Sequence, residues 1–480
     1  MKVTFNISKE RKFSEWYSEI LKKAEILDIR YGVKGFVVIM PWGARMLEKM
    51  YRIYESAMQR TGHEPTFFPT LIPEDNFKLE AEHVEGFTPE VFWLENKKGE
   101  ERLALRPTSE TAMYQMYSLW IRSWRDLPLK IYQRANVFRY ETKATRPLIR
   151  SREFYWIESH NCFATKEEAL KQVKEDIEMT DSVMHRVFGI PFLPMKRPEW
   201  DKFPGAEFTI GSDSILPDGR VIQQPSTHML GTHFSKAFNI KFVNEREKEE
   251  FVWQTCYGPA ISRMMASVIS LHGDDNGLVL PYTIAPIQAV IVPMHSEKKS
   301  NEIKKLCQKI SQNFFNERID SIVDYSKKRP GEKFFYWEMK GVPFRIEIGE
   351  EELKAKAATV FVRDTREKIK VSLKDLFEEI RNLGAEYDAR LTGKAEEFLD
   401  RRIVDCDTKE GVKKTISGGK IARFGFCSIE NKGKKCAAFV EEECSARLMG
   451  VRYDKDEKAK GKCVFCNKEA SVVAYAAKSY

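Results

Sequence analysis

Between Leu103 and about Leu280 the apolar residues come in short runs, such as Lys130 to Phe138 and Phe154 to Phe163, separated by polar turns. Runs of that length and spacing predict strands of a mostly antiparallel sheet, interrupted by helices, notably Lys166 to Phe188. Upstream, Trp42 to Arg60 carries Met46, Leu47, Met50, Ile53, Tyr54 and Ala57 at amphipathic helical spacing after a Pro-Trp-Gly break. Phe67 to Ile72 reads as a strand ending near Pro73.

Pro281 to Pro286 resembles a linker, and the pattern then changes. Ile287 to Val292 (strand), Ser296 to Phe315 (helix) and Ile319 to Tyr325 (strand) alternate as in a βαβ unit. The expected class is therefore α/β in the broad α+β sense. A main domain with an antiparallel sheet covers residues 1–283, an α/β domain covers 284–385, and a small cysteine-bearing unit covers 386–480. A metal would replace part of a core in a unit that small.

The 480 residues, 42% hydrophobic and 31% charged, suffice for more than one core. No apolar run is long enough to cross a bilayer, and the N-terminal MKVTFNISKERKF lacks the apolar stretch of a signal peptide, so a cytoplasmic location is expected with no membrane partner. A formal charge of +8 favours a polyanionic partner without proving one. Nine cysteines without a secretion signal point to free thiols or a metal site rather than disulfides. Cys427, Cys436, Cys444, Cys463 and Cys466 crowd the end of the chain.

Phe138-Arg139-Tyr140-Glu141, followed by Arg150-Ser151-Arg152-Glu153-Phe154, puts arginines and a carboxylate on a strand-loop-strand hairpin. Guanidinium forks bind phosphate oxygens in pairs and stay charged, so Arg139 suits an α-phosphate while Arg150 or Glu141 addresses the nucleotide. Taken alone, the same residues describe surface ion pairs on a hairpin more readily than a nucleotide site. Leu105-Arg106-Pro107-Thr108-Ser109-Glu110-Thr111 places a hydroxyl and a carboxylate where they can receive a substrate ammonium. Gly258 and Arg263 open the apolar helical run Met264 to Leu271, which leads into His272-Gly273-Asp274-Asp275.

The order helix-strand-proline (Phe67-Phe68-Pro69), then Phe-Arg-x-Glu, then Gly with a late Arg resembles the three signature motifs of class II aminoacyl-tRNA synthetases. Arg106 to Glu110, Phe87-Thr88-Pro89-Glu90-Val91, Ile222-Gln223 through His228, and Gly341-Val342-Pro343-Phe344-Arg345-Ile346-Glu347-Ile348-Gly349 are similar to the prolyl-tRNA synthetase family of the archaeal and eukaryotic-like type. The resemblance covers nearly the whole chain. It implies a class II catalytic domain, an anticodon-binding α/β domain and a zinc-binding C-terminal domain, with L-proline, ATP with Mg²⁺ and tRNA(Pro) as ligands.

Carried over by position, Thr108 and Glu110 would bind the proline imino group, and Arg139 would contact the proline carboxylate and ATP. Arg150, Ser151, Gln223 and Ser226 would contact ATP, His228 would border proline, and Arg263 would face the γ-phosphate. Arg139, Glu141 and Arg263 form the catalytic set. A proline pocket must bury a saturated ring while pairing a charged secondary amine, and Phe87, Trp156 and Phe203 match the family's aromatic walls. Glu158 and His160 share a strand face with Trp156 by the period of two. Ile261 stands where some members have a hydroxyl near ATP, which removes a nucleotide contact there.

Activation is an in-line attack of a carboxylate on the α-phosphorus, so no nucleophilic side chain is required, and Cys256 is not assigned that role. Cys463-Val464-Phe465-Cys466 forms a knuckle whose two thiolates reach one ion, and Cys427 and Cys436 complete a structural Zn²⁺ site. Cys444 remains a spare candidate, and family spacing favours Cys436. Glu338 and Arg345 would read guanine edges of the anticodon, with Lys327, Lys328, Arg329 and Lys333 as phosphate contacts. A homodimer is expected through the helix and strand around Pro69.

A threonyl enzyme would need a zinc-ligating cysteine near Thr108, and a seryl enzyme a long N-terminal coiled coil. Neither feature is present. A synthetase-like protein that has lost catalysis would not need to keep Arg139, Glu141 and Arg263 together. About a hundred residues separate the second and third motifs, too few for a large editing insertion.

Overall fold

The computed structural model describes residues 7–83, 90–95, 97, 99–142, 144–294 and 298–480. Its centre is an eleven-stranded sheet. The catalytic part runs, in spatial order, Leu193–Lys196, Phe208–Ile215, Arg220–Gly231, Trp253–Tyr257, Glu153–Phe163, Leu129–Phe138 and Glu64–Pro65. All these neighbours are antiparallel except the last pair.

The hairpin of Leu129–Phe138 and Glu153–Phe163 sets the geometry of the site, with Ala135 opposite Trp156, Gln133 opposite Glu158 and Ile131 opposite His160. Strand alternation turns Trp156, Glu158 and His160 to one face. Two helices back the sheet. Pro41–Arg60 has proline at its first position, where no N–H is missed, and buries Met46, Leu47, Met50, Tyr54 and Ala57. Ile261–His272 is almost wholly buried between that helix and the sheet.

The stretch from Phe67 to Ile72 is not one strand. Only Glu64–Pro65 and Leu71–Pro73 pair, in two different sheets, and Phe67 stands 88% exposed between them. Pro65 and Pro69 explain the break, because neither carries the N–H a continuous ladder requires. The helix expected from Lys166 to Phe188 is α-helical over Lys166–Thr180 and continues as a π-turn over Asp181–His185.

The second domain has a five-stranded sheet in the order Ser321–Val323, Ala289–Pro293, Phe344–Ile348, Ala357–Val362 and Lys368–Ser372, parallel in its first three strands. Ser300–Asn316 is its crossover helix. The long helix Leu376–Asp400 leads out of it and runs through position 386 without a break. Beyond it, the C-terminal strands extend the catalytic sheet: Arg447–Arg452 pairs with Leu193–Lys196, and Val472–Ser479 runs parallel to the start of Arg220–Gly231. This small unit thus has its own core around Val412, Ile416, Phe424 and Phe426 and also shares a second one with the catalytic domain. Among the described residues no helix is long and apolar enough to cross a membrane.

Candidate active site

A cavity of about 430 Å³ opens over the centre of the antiparallel sheet. Thr108, Glu110, Arg139, Glu141, Trp156, Glu158, His160, Phe203, Gln223, Ser226, His228 and Arg263 all line it. Arg150 lies in the adjoining recess, which shares Arg263 and Gln223 with the first, and its Nε is 3.3 Å from Glu141 Oε2. Ser151 instead lines a separate hollow with residues 29–37. Phe87 lies outside the described residues.

The floor of the cavity is a polar cluster with a definite proton count. Thr108 Oγ1 lies 2.6 Å from Glu158 Oε1 and is also hydrogen-bonded to Glu110 Oε2. One hydroxyl proton cannot serve two carboxylates, so one carboxyl must bring its own. Of the two, Glu110 is the one that burial pushes up from its ordinary range, with the His160 charge opposing and the Glu158 charge adding to the shift. Glu158 takes the opposite course: burial opposes its charge, but His160 and the donors Thr108 and Ser109 outweigh burial and lower it. Ser109 N donates to Glu158 Oε1 at 2.8 Å.

His160 Nε2 is 3.2 Å from Glu158 Oε1, within ion-pair reach but without an aligned hydrogen bond, and Nδ1 is 2.9 Å from Tyr114 Oη. His228 is the other kind of imidazole. Burial, with Arg197 and His160 adding like charge, pushes it down to about 3, so it is neutral and sits between Thr209 Oγ1 (2.8 Å) and Ser226 Oγ (3.1 Å). Its ring lies 4.8 Å from that of Phe203.

Two arginines face the opposite wall. Arg139 donates from Nε to Pro107 O at 3.2 Å, with its guanidinium 5.2 Å from the Phe154 ring and 5.6 Å from that of Trp156. Arg263, in the first turn of its helix, donates to Ile149 O (3.1 Å) and Gln223 O (3.2 Å). Burial, and then the charges of Arg139 and Arg150, lower it to about 10, so it stays protonated at neutral pH. Among the described residues both guanidinium groups hydrogen-bond to neutral carbonyls, an arrangement that suits an incoming anion, while the charges of Glu110, Glu158 and Glu141 also act on Arg139.

Gly258 is required by packing: a Cβ there would stand 2.5 Å from the Trp156 ring. Cys256 lines the cavity, but burial raises its thiol far above the usual range, which makes it a poor nucleophile.

Several contributors escape a reading of motifs. Phe154 and Glu90 line the cavity, Gln133 hydrogen-bonds Ser109 and approaches Glu158 at 3.4 Å, and the buried pair Arg197–Asp213 braces Gln223. Phe154 is within reach of sequence reasoning, since it continues the two-residue period of Trp156, Glu158 and His160. Glu90 stands within the Phe87 to Val91 motif without an assigned role, and Gln133, Arg197 and Asp213 are visible only as neighbours brought in by the sheet.

Tyr480 closes the adjoining recess, its hydroxyl donating to Asp218 Oδ2 at 2.6 Å and its ring 5.3 Å from the Arg146 guanidinium.

Residues 92–272 match the class II tRNA synthetase core domain of the G, H, P, S and T group, and residues 288–383 match an anticodon-binding domain. The chain is 48% identical to a proline--tRNA ligase from Thermofilum pendens over 99% of its own length and 98% of the relative's. It belongs to the proline--tRNA ligase family. A second member of that family, from Thermococcus kodakarensis, is 43% identical over 98% of each chain. The solved prolyl-tRNA synthetase of Giardia lamblia in complex with prolyl-adenylate superposes with a TM-score of 0.95 at 36% identity, covering 99% of this chain and 100% of that one. That of Cryptosporidium parvum with L-proline and AMP reaches 0.93 at 29%, covering 100% and 98%. As a family member, the chain is an aminoacyl-tRNA ligase.

In the anticodon-binding domain Glu338 and Arg345 are neighbours. Arg345 donates to Glu338 Oε1 at 2.9 Å and to Glu347 Oε1 at 3.0 and 3.1 Å, and it lies between the rings of Phe334 and Phe361. Both residues are less than a tenth exposed. In the C-terminal unit the sulfurs of Cys427, Cys436, Cys463 and Cys466 lie within 4.8 Å of one another, whereas Cys444 packs into the adjacent core. Four thiols and no oxygen donor fit a closed tetrahedral zinc site.

Proposed function

We propose that this chain activates L-proline with ATP as prolyl-adenylate and transfers it to the 3′ end of tRNA(Pro), using the cavity residues in the following roles. The reading rests on one observation: a single cavity joins a carboxyl–hydroxyl–imidazole floor, aromatic walls and two arginines hydrogen-bonded to carbonyls.

Trp156, Phe203 and the neutral His228 enclose the apolar ring, with Phe87 as a further wall. The secondary ammonium faces Glu110 and Thr108. A cation there favours the ionised form of the Glu110 carboxyl, against the burial that raises it. Glu158 and His160 remain a fixed ion pair beneath. Arg139 receives the proline carboxylate and the α-phosphate, drawing nucleophile and phosphorus together and neutralising charge as it develops. Arg263, Arg150, Ser151, Gln223 and Ser226 hold the nucleotide, and Glu141 orients Arg150. Mg²⁺ enters with the ATP phosphates.

Glu338 and Arg345 read the anticodon of tRNA(Pro). Cys427, Cys436, Cys463 and Cys466 hold a structural Zn²⁺. The face of Pro41–Arg60 near Leu47 and Tyr51, with the exposed Phe67, forms the homodimer contact, so the protein sediments as a dimer. The cytoplasm supplies all these ligands.

Proline-dependent ATP–pyrophosphate exchange with each of the twenty amino acids tests the assignment, and proline should give the highest kcat/KM. Alanine lacks two ring methylenes and loses roughly 2 to 5 kcal/mol with imperfect packing, so it should trail by on the order of thirty- to several-thousandfold. A ratio above about a hundred thousand would mean the cavity excludes alanine by a contact other than those described.

A further inference from the structure

Arg363 follows the strand Ala357–Val362 of the anticodon-binding domain and has no exposed surface. A buried guanidinium must be fully partnered, and the partners here lie in two domains. Nη1 and Nη2 donate to Asp274 Oδ2 and Oδ1 at 2.8 and 2.7 Å, while Nε donates to the main-chain carbonyl of Glu338 at 3.2 Å. The Asp274 carboxyl is held low because this pairing outweighs its burial.

Both partners matter. Glu338 is the residue proposed above to read the anticodon. Asp274 lies two residues beyond the helix Ile261–His272, which carries Arg263 in its first turn. That helix is a rigid rod of about 18 Å, at 1.5 Å per residue. Its far end is clamped: Lys9 Nζ donates to Leu271 O (2.9 Å) and Gly273 O (2.5 Å), and Trp16 Nε1 to Asp274 O (2.9 Å).

The turn after it lies directly against the end of the helix Pro330–Met339, which carries Glu338. Gly277 has φ +141, and a Cβ there would fall 2.5 Å from Met339 Cα and 2.8 Å from Glu338 O. Leu278 N donates to Met339 O at 3.1 Å. The Glu338 carboxylate is held by Arg345 through Oε1, with Arg366 at 3.5 Å from Oε2, and its main-chain carbonyl is bonded to Arg363, so a base engaging this carboxylate acts on a group tied directly to Arg363.

We propose that Arg363 is a positioning residue that transmits engagement of the anticodon at Glu338 to the placement of Arg263, through Asp274 and the helix between them. The proposal rests on the assignment of Glu338 as an anticodon reader.

The test uses the full-length enzyme with Arg363→Lys and, in case that variant folds poorly, Asp274→Asn, which keeps an acceptor but removes the paired charge. Charging kcat and KM are measured with a tRNA(Pro) transcript and with one whose anticodon guanines are replaced, alongside tRNA-free exchange. Either variant should lower kcat on the native transcript about tenfold, within the usual range of coupling between sites. Exchange and the KM for tRNA should stay within about twofold, and the loss in kcat should shrink to within about twofold on the altered transcript. An equal loss on both transcripts, or a parallel fall in exchange, overturns the coupling and leaves Arg363 a framework residue. If the unsubstituted enzyme charges both transcripts equally, the anticodon assignment of Glu338 fails instead, and the coupling loses its input.

Discussion

In the catalytic cavity Arg139 and Arg263 hydrogen-bond to carbonyls, whereas in the anticodon-binding domain Arg345 and Arg363 hydrogen-bond to carboxylates at 2.7 to 3.1 Å. The side chain is the same in both regions, but in the cavity the carboxylates Glu110, Glu158 and Glu141 act on Arg139 only through their charge. An arginine without a hydrogen-bonded carboxylate is held at a cost that a bound anion offsets, so it marks a ligand site. An arginine saturated by carboxylates holds the fold and participates in recognition only by exchanging partners. The same contrast extends to the C-terminal cysteines, four thiols gathered within 4.8 Å of one another with no carboxylate among them, and to Asp176, a buried carboxyl that accepts from the neutral donors Thr227 and Gln172.

The largest effect is expected at the carbonyl-bonded arginine. Arg139→Ala should lower proline-dependent exchange by at least about a hundredfold, the loss expected when a transition-state charge contact is removed. Arg345→Ala should leave exchange within about twofold and weaken tRNA charging. It should also lower unfolding free energy by up to about 3 to 5 kcal/mol, because Glu338 and Glu347 stay buried with one fewer partner. Equal damage to exchange by both variants would break the comparison.

The cysteine cluster is the next test. Zinc measured per chain should fall from about one to none in Cys463→Ala and remain in Cys444→Ala, with stability lost before exchange activity. Loss of the ion in Cys444→Ala would move the site.

The smallest effect concerns Asp176, whose carboxyl burial pushes up to about 7. A raised acid holds its proton in the folded state after the unfolded chain has released it. Its stabilisation is therefore complete below about pH 4 and is lost as pH rises to about 7. In Asp176→Asn the decline in melting temperature between pH 5 and pH 8 should become shallower. An unchanged slope would mean the group is ionised in the fold.

Legibility in the sequence follows the range of the interactions. Trp156, Glu158 and His160 fall on one face by strand alternation alone, which is local, and Thr108 with Glu110 can be read because both lie in one short segment. Gln133, Thr209 and Tyr114 cannot, because each reaches the site from a different strand or helix and carries no motif. Phe67 departs from its expected strand for a related reason: its β-forming neighbours are local, but the ladder that Pro65 and Pro69 interrupt is not.

By itself the sequence determined the family, the antiparallel catalytic sheet, the α/β second domain and the residue types proposed to meet proline, ATP and metal, since all of these depend on periodicity and on motifs contiguous along the chain. Only the tertiary structure decided which charges are paired through hydrogen bonds. It gave Arg345 and Arg363 hydrogen-bonded carboxylates, gave Arg139 and Arg263 carbonyls, and made the C-terminal unit an edge of the catalytic sheet. Those outcomes depend on pairings between residues far apart along the chain, some by more than two hundred and fifty positions, such as Arg197 with Met449, and burial sets the worth of a charge only when its neighbours in space are known.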